Sequence, residues 1–133
     1  MGIRPARFAD LPQLKRIITI HHQLLTEATE AGICHVAEEA SQLQGFVILE
    51  QSFYAYGFIS LLFVHEEHRR VGVATSLMTH AEGLCTTPKL FTSTNESNVP
   101  MQRLCDRLGY EPSGVIYNLD EDDPELVYMK RLQ

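Results

Sequence analysis

The run Arg69-Arg70-Val71-Gly72-Val73-Ala74-Thr75 sets two guanidinium groups directly before a glycine and the start of an apolar-periodic segment. A helix beginning there presents unpaired N–H groups and the positive end of its dipole to whatever lies in front of it. Small side chains at Gly72 and Ala74 let a ligand come close to the backbone. The chemistry these features support is the binding of a phosphate or diphosphate. A charged loop leading into an ordinary amphipathic helix is the other reading of the same residues. The Gly-x-Gly-x-x-Gly fingerprint and the Gly-x-x-x-x-Gly-Lys-Ser/Thr loop are both absent, which removes the two common nucleotide-binding patterns.

Other reactive side chains are less organised. His21 and His22 are adjacent, so on a helix they point in different directions. His65 and His68 are close in sequence but lack a carboxylate or thiolate cluster of convincing ligand spacing, so no metal is expected. Cys34, Cys85 and Cys105 are odd in number with no Cys-x-x-Cys pair, which argues against a disulfide framework or a structural zinc. The net charge of −6 argues against a nucleic-acid partner and suits a cationic acceptor such as an amine. No apolar run approaches the ~18 residues of a membrane span, and Met1-Gly2-Ile3-Arg4-Pro5 lacks a secretory apolar stretch. No membrane partner and a cytoplasmic location are therefore expected. Asp120 to Asp123 read as a solvated acidic turn.

The elements that must position these groups follow from periodicity. The chain has 133 residues, and residues 1–133 are expected to form a single domain. Ile3 to Arg7 reads as a first strand. Asp10-Leu11-Pro12-Gln13 reads as a capped helix start, and Leu11, Leu14, Ile17, Ile18 and Leu25 continue a helix, unbroken or broken, to about Thr29. Ile33 to Glu39, Gly45 to Glu50 and Gly57 to Val64 read as strands, the last as the most buried. Ala74 to Leu84 carries a helical stripe, Leu90 to Thr94 a strand, and Met101 to Leu108 a second stripe stopped by Gly109. Val115 to Leu119 and Leu126 to Lys130 read as closing strands. The order β-α-β-β-β-α-β-α-β-β predicts an α/β mixed sheet with helices on both faces.

On these elements, Arg69 to Ala74 resembles the Arg/Gln-x-x-Gly-x-Gly/Ala signature of the GNAT superfamily of acyl-CoA-dependent N-acyltransferases. Asn98 to Tyr110 resembles that superfamily's second signature, in which an Asn opens a helix that ends in Gly followed by an aromatic residue. The resemblance implies a GNAT-like fold and an N-acetyltransferase that uses acetyl-CoA (coenzyme A) as co-substrate. It implies that backbone groups of Leu62, Phe63 and Val64 bond the pantetheine arm as an added strand would. It implies that the amides of Arg70, Val71, Gly72, Val73, Ala74 and Thr75 hold the diphosphate, with Arg69 at the charged rim. Asn98 matches the residue that bonds the pantetheine, although a plain helix cap is an equally available role. Arg103 can reach the 3′-phosphate end or lie on a solvated helix face. A homodimer is implied by analogy.

The chemistry then needs a neutral amine, an oxyanion donor and a proton for the departing thiolate. The position where the superfamily usually carries a Tyr acid, seven residues after the Asn, is Cys105 here. Cys105 can donate as a thiol or simply pack among Met101, Leu104 and Leu108; Tyr110, Tyr117 or Tyr128 can take its place near the sulfur. The Glu that some relatives carry on the strand before the Asn is Ser93 here. Glu50, Glu96, His65 or a water relay are the alternatives for the base, with Glu50 at the end of a strand beside the central one. Phe53, Tyr54 and Tyr56 line an acceptor pocket or pack. These departures leave a second reading open, a non-catalytic acyl-CoA binder or sensor of the same fold.

Overall fold

Alternating apolar residues in the middle of the chain dictate strands, and the apolar stripes on either side dictate helices that cover them. The computed structural model describes residues 2–69 and 72–133. Its elements are β1 (Gly2–Pro5), α1 (Leu11–Ile17), α2 (His22–Glu30), β2 (Cys34–Glu39), β3 (Gln42–Phe53), β4 (Tyr56–Val64), α3 (Val73–Leu84), β5 (Lys89–Asn95), α4 (Val99–Arg107), β6 (Glu111–Ile116) and β7 (Glu125–Arg131). The seven strands make one mixed sheet in the order β1-β2-β3-β4-β5-β7-β6. Only β4 and β5 pair in parallel among the described registers, as expected where a helix connects two strands. No helix among the described residues is long and apolar enough to cross a membrane.

Two compact units divide the chain: Met1–Leu49 with Leu61–Gly83, and Glu50–Ser60 with Leu84–Gln133. In the first, β1, β2 and the first part of β3 form antiparallel ladders. Leu14 of α1 and Leu25 of α2 are fully buried in one core with Val36, Phe46 and Ile48. In the second unit, β5 lies between β4, paired over Gly57–Ile59, and β7, paired along its whole length.

Several expectations are corrected. Asp10 does not cap α1 with its side chain. Its carboxylate turns back to accept from the Arg7 N–H (2.7 Å) and from both terminal nitrogens of Arg4 (2.8 and 3.0 Å). Glu38 accepts from Arg4 as well, so one guanidinium ties β1, β2 and the turn before α1 together. A charge-assisted fork of this kind outweighs a single neutral cap. Of the two alternatives for the helix to Thr29 the structure takes the broken one, with α1 and α2 parted before His22 and His21 at φ +62°. The most buried strand is β3, sealed from Leu43 to Leu49, whereas most of β4 is half-buried. The apolar stretch after Val115 is not a strand core. β6 begins earlier, at Glu111, is exposed at every residue, and carries a register shift between Pro112 and Gly114.

Candidate acyl-CoA site

Within the first unit, β4 delivers the chain to a 3-10 turn over Glu66–His68, and α3 follows at Val73. The turn is held from β3. The His65 N–H donates to the Gln44 carbonyl (2.8 Å), and the Gln44 side-chain amide meets His68 Nδ1 at 3.4 Å. A Cβ at position 45 would collide with the Phe63 carbonyl oxygen, so Gly45 lets β3 and β4 approach closely there. His65, Glu67 and His68 offer ligand-type atoms within 4.8 Å of one another, which the sequence spacing had not suggested. One nitrogen of each ring is already engaged, His65 Nδ1 by the Glu67 N–H and His68 Nδ1 by Gln44.

Gly72 takes φ +86°, a left-handed conformation that strains any residue with a side chain. Among the described residues the first bonded amide of α3 is Ser76, which donates to the Gly72 carbonyl at 3.0 Å. The amides of Val73, Ala74 and Thr75 therefore have no acceptor inside the helix and face its N-terminal end. Arg70 and Val71, whose amides belong to the predicted cradle, lie outside the described residues. Arg69 turns back onto β4: its Nε donates to the Val64 carbonyl at 3.0 Å, and its guanidinium lies 5.8 Å from the centre of the Phe63 ring. One backbone acceptor assigned to the pantetheine arm is thus occupied by Arg69.

The same unit contains a cavity of about 330 Å³ lined by Ile17–His21, Leu61 and Phe63. Of the two roles open to Phe53, Tyr54 and Tyr56, pocket lining or packing, Phe53 stacks on Phe58 (4.6 Å) and Tyr56 packs on Phe91 (5.8 Å), while Tyr54 is exposed in the β3–β4 turn. The missed signal was the β-branched run Ile17-Ile18-Thr19-Ile20, too apolar for an ordinary helix connection.

Within the second unit, the parallel pairing of β4 with β5 runs from Gly57/Leu90 to Ile59/Thr92, where the Thr92 hydroxyl donates to the Ile59 carbonyl at 3.1 Å. The next residue, Ser60, has a buried hydroxyl without a partner among the described residues. Beyond β5, Asn98 caps α4, its Oδ1 accepting from the Met101 N–H at 3.2 Å. Its Nδ2 has no partner among the described residues. α4 closes as the sequence suggested: Tyr110 N–H donates to the Cys105 carbonyl, and Gly109 carries φ +87°.

Cys105 is fully buried, and burial pushes its thiol up to about 11. An ordinary coenzyme thiolate, near 8.5, would draw a proton from such a group only uphill. Tyr128 is the tyrosine that feels Cys105: burial raises its phenol first, then the charges of Cys105 and Asp106. Tyr110 lies 5.5 Å from the Lys130 ammonium, and Tyr117 is exposed. Arg103 is exposed on α4.

Glu50 does not end its strand, because β3 continues to Phe53; it is half-buried. At Ser93 the structure supplies a carboxylate from another strand, for the Ser93 hydroxyl donates to Glu125 Oε2 at 2.7 Å. Nor is the acidic turn merely solvated. Asn95 Nδ2 donates to Asp120 (2.8 Å), and Asp123 accepts from the N–H and hydroxyl of Ser97 (3.0 and 2.6 Å). These bonds fasten the loop carrying Glu96 and Asn98 to the segment leading into β7.

Residues 4–110 match the sequence profile of the Acetyltransferase (GNAT) family. The chain belongs to the GNAT acetyltransferase family. A GNAT-family acetyltransferase structure from Bacillus cereus is 31% identical, with a TM-score of 0.91 over 98% of this chain and 96% of that one. Two more distant structures share the GNAT fold. YncA from Salmonella typhimurium, solved with its cofactor acetyl-CoA, is 18% identical with a TM-score of 0.82, covering 100% and 94% of the two chains. Arabidopsis thaliana Naa50, solved with the bisubstrate analogue CoA-Ac-MVNAL, is 19% identical with a TM-score of 0.79, covering 97% of each. No curated protein is significantly similar in sequence.

Proposed function

We propose that this GNAT protein transfers the acetyl group of acetyl-CoA to a primary amine by direct attack in a ternary complex. The observation that carries the reading is Gly72, which opens α3 at φ +86° behind β4 and leaves the Val73–Thr75 amides without helical acceptors. In this reading those amides, with Arg70, Val71 and Gly72, hold the diphosphate. The backbone of Leu62–Val64, less the Val64 carbonyl that Arg69 engages, bonds the pantetheine arm. Asn98 contributes its free Nδ2 to the arm, and Arg103 meets the 3′-phosphate. YncA with acetyl-CoA and Naa50 with its bisubstrate analogue support this choice of co-substrate.

Each chemical step has a modest requirement. The amine must lose a proton, and Glu50 and Glu125 are the carboxylates proposed to accept it, directly or through water. The thioester oxyanion takes a backbone N–H of the Leu62–Val64 segment. The coenzyme thiolate has an ordinary thiol pKa and leaves without a strong acid, so Cys105 serves packing and its thiol stays protonated. Bringing both substrates into one complex supplies much of the remaining acceleration. The three free cysteines suit a cytoplasmic setting, and a homodimer is the proposed assembly.

The sealed Cys105 favours one second reading, an acyl-CoA sensor without turnover. Calorimetry with coenzyme A and thiol release from acetyl-CoA with an amine panel separate the two. Binding with turnover supports the enzyme. Binding without turnover across the panel supports the sensor, and no binding removes both.

A further inference from the structure

We propose that the acceptor is a primary amine bearing one uncharged aliphatic or aryl group, which fills the cavity between the α1–α2 connection and β4. This rests on the acetyltransferase reading and specifies its acceptor. The cavity, about 330 Å³, has the size of a small ligand site. Ile17, Ile18, Ile20, Leu61 and Phe63 form its apolar walls, and among the described residues no carboxylate lines it. Leu61 and Phe63 point to one face of β4, by strand alternation, and their backbone belongs to the segment proposed to carry the thioester arm. A group seated on them therefore lies along the strand at which transfer occurs.

Two observations decide its chemistry. The Arg69 guanidinium stands 5.8 Å from the Phe63 ring, so the charge beside this wall is positive. A polyamine or a lysine-rich segment would bring a second cation toward a like charge with no anion to meet it. Ile20 is 63% exposed, although burying an apolar side chain of its size is worth ~1.5–3 kcal/mol; an apolar occupant recovers part of that.

The wall is also built rather than loose. The His22 ring Nε2 lies 2.7 Å from the Ile18 carbonyl, and His21 holds φ +62°. Phe63 stacks against the fully buried Phe46 with ring centres 5.9 Å apart.

The test uses the coenzyme A-loaded protein with isotope-labelled isoleucine methyl groups. Adding phenethylamine is expected to move the Ile17, Ile18 and Ile20 methyl resonances, and adding spermidine to leave them in place. In thiol-release assays kcat/KM for phenethylamine should exceed that for spermidine at least tenfold. Ile20→Asp, an exposed change that keeps the melting temperature, should raise KM for phenethylamine about tenfold with coenzyme A affinity unchanged. Preference for spermidine, or methyl shifts produced by hexanoyl-CoA and not by phenethylamine, would overturn the acceptor assignment and leave the acetyltransferase reading standing. Failure to bind coenzyme A would overturn both.

Discussion

Ser93 on β5 and Glu125 on β7 are diagonal neighbours across an antiparallel ladder, and their 2.7 Å hydrogen bond holds a carboxylate over the position of a serine. The register pairs Ser93 with Val127 and Asn95 with Glu125, so the contact reaches across two rungs on one face of the sheet. If Glu125 is the base, Glu125→Gln should lower kcat roughly 100-fold and leave coenzyme A affinity unchanged. Ser93→Ala, which only frees the carboxylate, should lower kcat about tenfold with coenzyme A affinity unchanged. Glu50→Gln in parallel identifies which carboxylate matters.

Gly72→Ala should separate binding from folding. A side chain at φ +86° costs ~1–2 kcal/mol of local strain. That strain falls on the turn that leads into the free amides of α3, and coenzyme A affinity should drop about tenfold. Calorimetry reads the affinity and a melting curve reads the fold. Unchanged affinity would remove the diphosphate assignment.

Asn98 has two separable atoms. Its Oδ1 caps α4, while its Nδ2 is free for a ligand. Asn98→Ser keeps a capping oxygen and should preserve stability, while coenzyme A affinity falls about fivefold. Asn98→Ala removes both and should cost ~1 kcal/mol of stability in addition. Equal affinity for wild type and the Ser variant would make Asn98 a cap alone.

His35 on β2 and His80 on α3 pack with ring centres 5.1 Å apart and planes tilted by 54°, and His35 Nδ1 and His80 Nε2 are buried without partners among the described residues. Burial, and then the charge of His80, hold His35 below the ordinary histidine range. The unfolded chain takes up that proton more readily than the folded one. Stability is therefore full above the ordinary histidine pKa of ~6.5 and declines as pH falls through it toward the lower folded value. Denaturant titrations should show a loss of at most ~1.4 kcal/mol per pH unit from this group. His35→Gln should flatten that slope.

Much of this arrangement could be read from the residues alone, and the exceptions share a cause. The order of strands and helices followed from periodicity, and Asn98 and Gly109 marked the ends of α4 correctly because helix termini use local chemistry. Strand lengths were underestimated where hairpins turn through Ala40-Ser41 and Tyr54-Ala55, both at positive φ without the Gly or Asn that announces such turns. Asp10 was mistaken for a cap because its carboxylate turns back to Arg4 and the Arg7 N–H, in a network that Glu38 of β2 completes on the same guanidinium from a distant segment. Glu125 and the pocket at Ile17–His21 were missed for the same reason: cross-strand diagonals and cavities depend on register, which no local pattern encodes.

The exposed strand β6 leaves one row of backbone donors and acceptors at the margin of the sheet, flanked by outward Val115, Ile116, Tyr117 and Leu119. Such a margin invites another chain to add a strand, and Pro112, the bulge beside it and the neighbouring run of carboxylates act against that. Acidification would weaken the last of these guards as the net charge of −6 shrinks, so clumping of intact, folded molecules should set in before unfolding does.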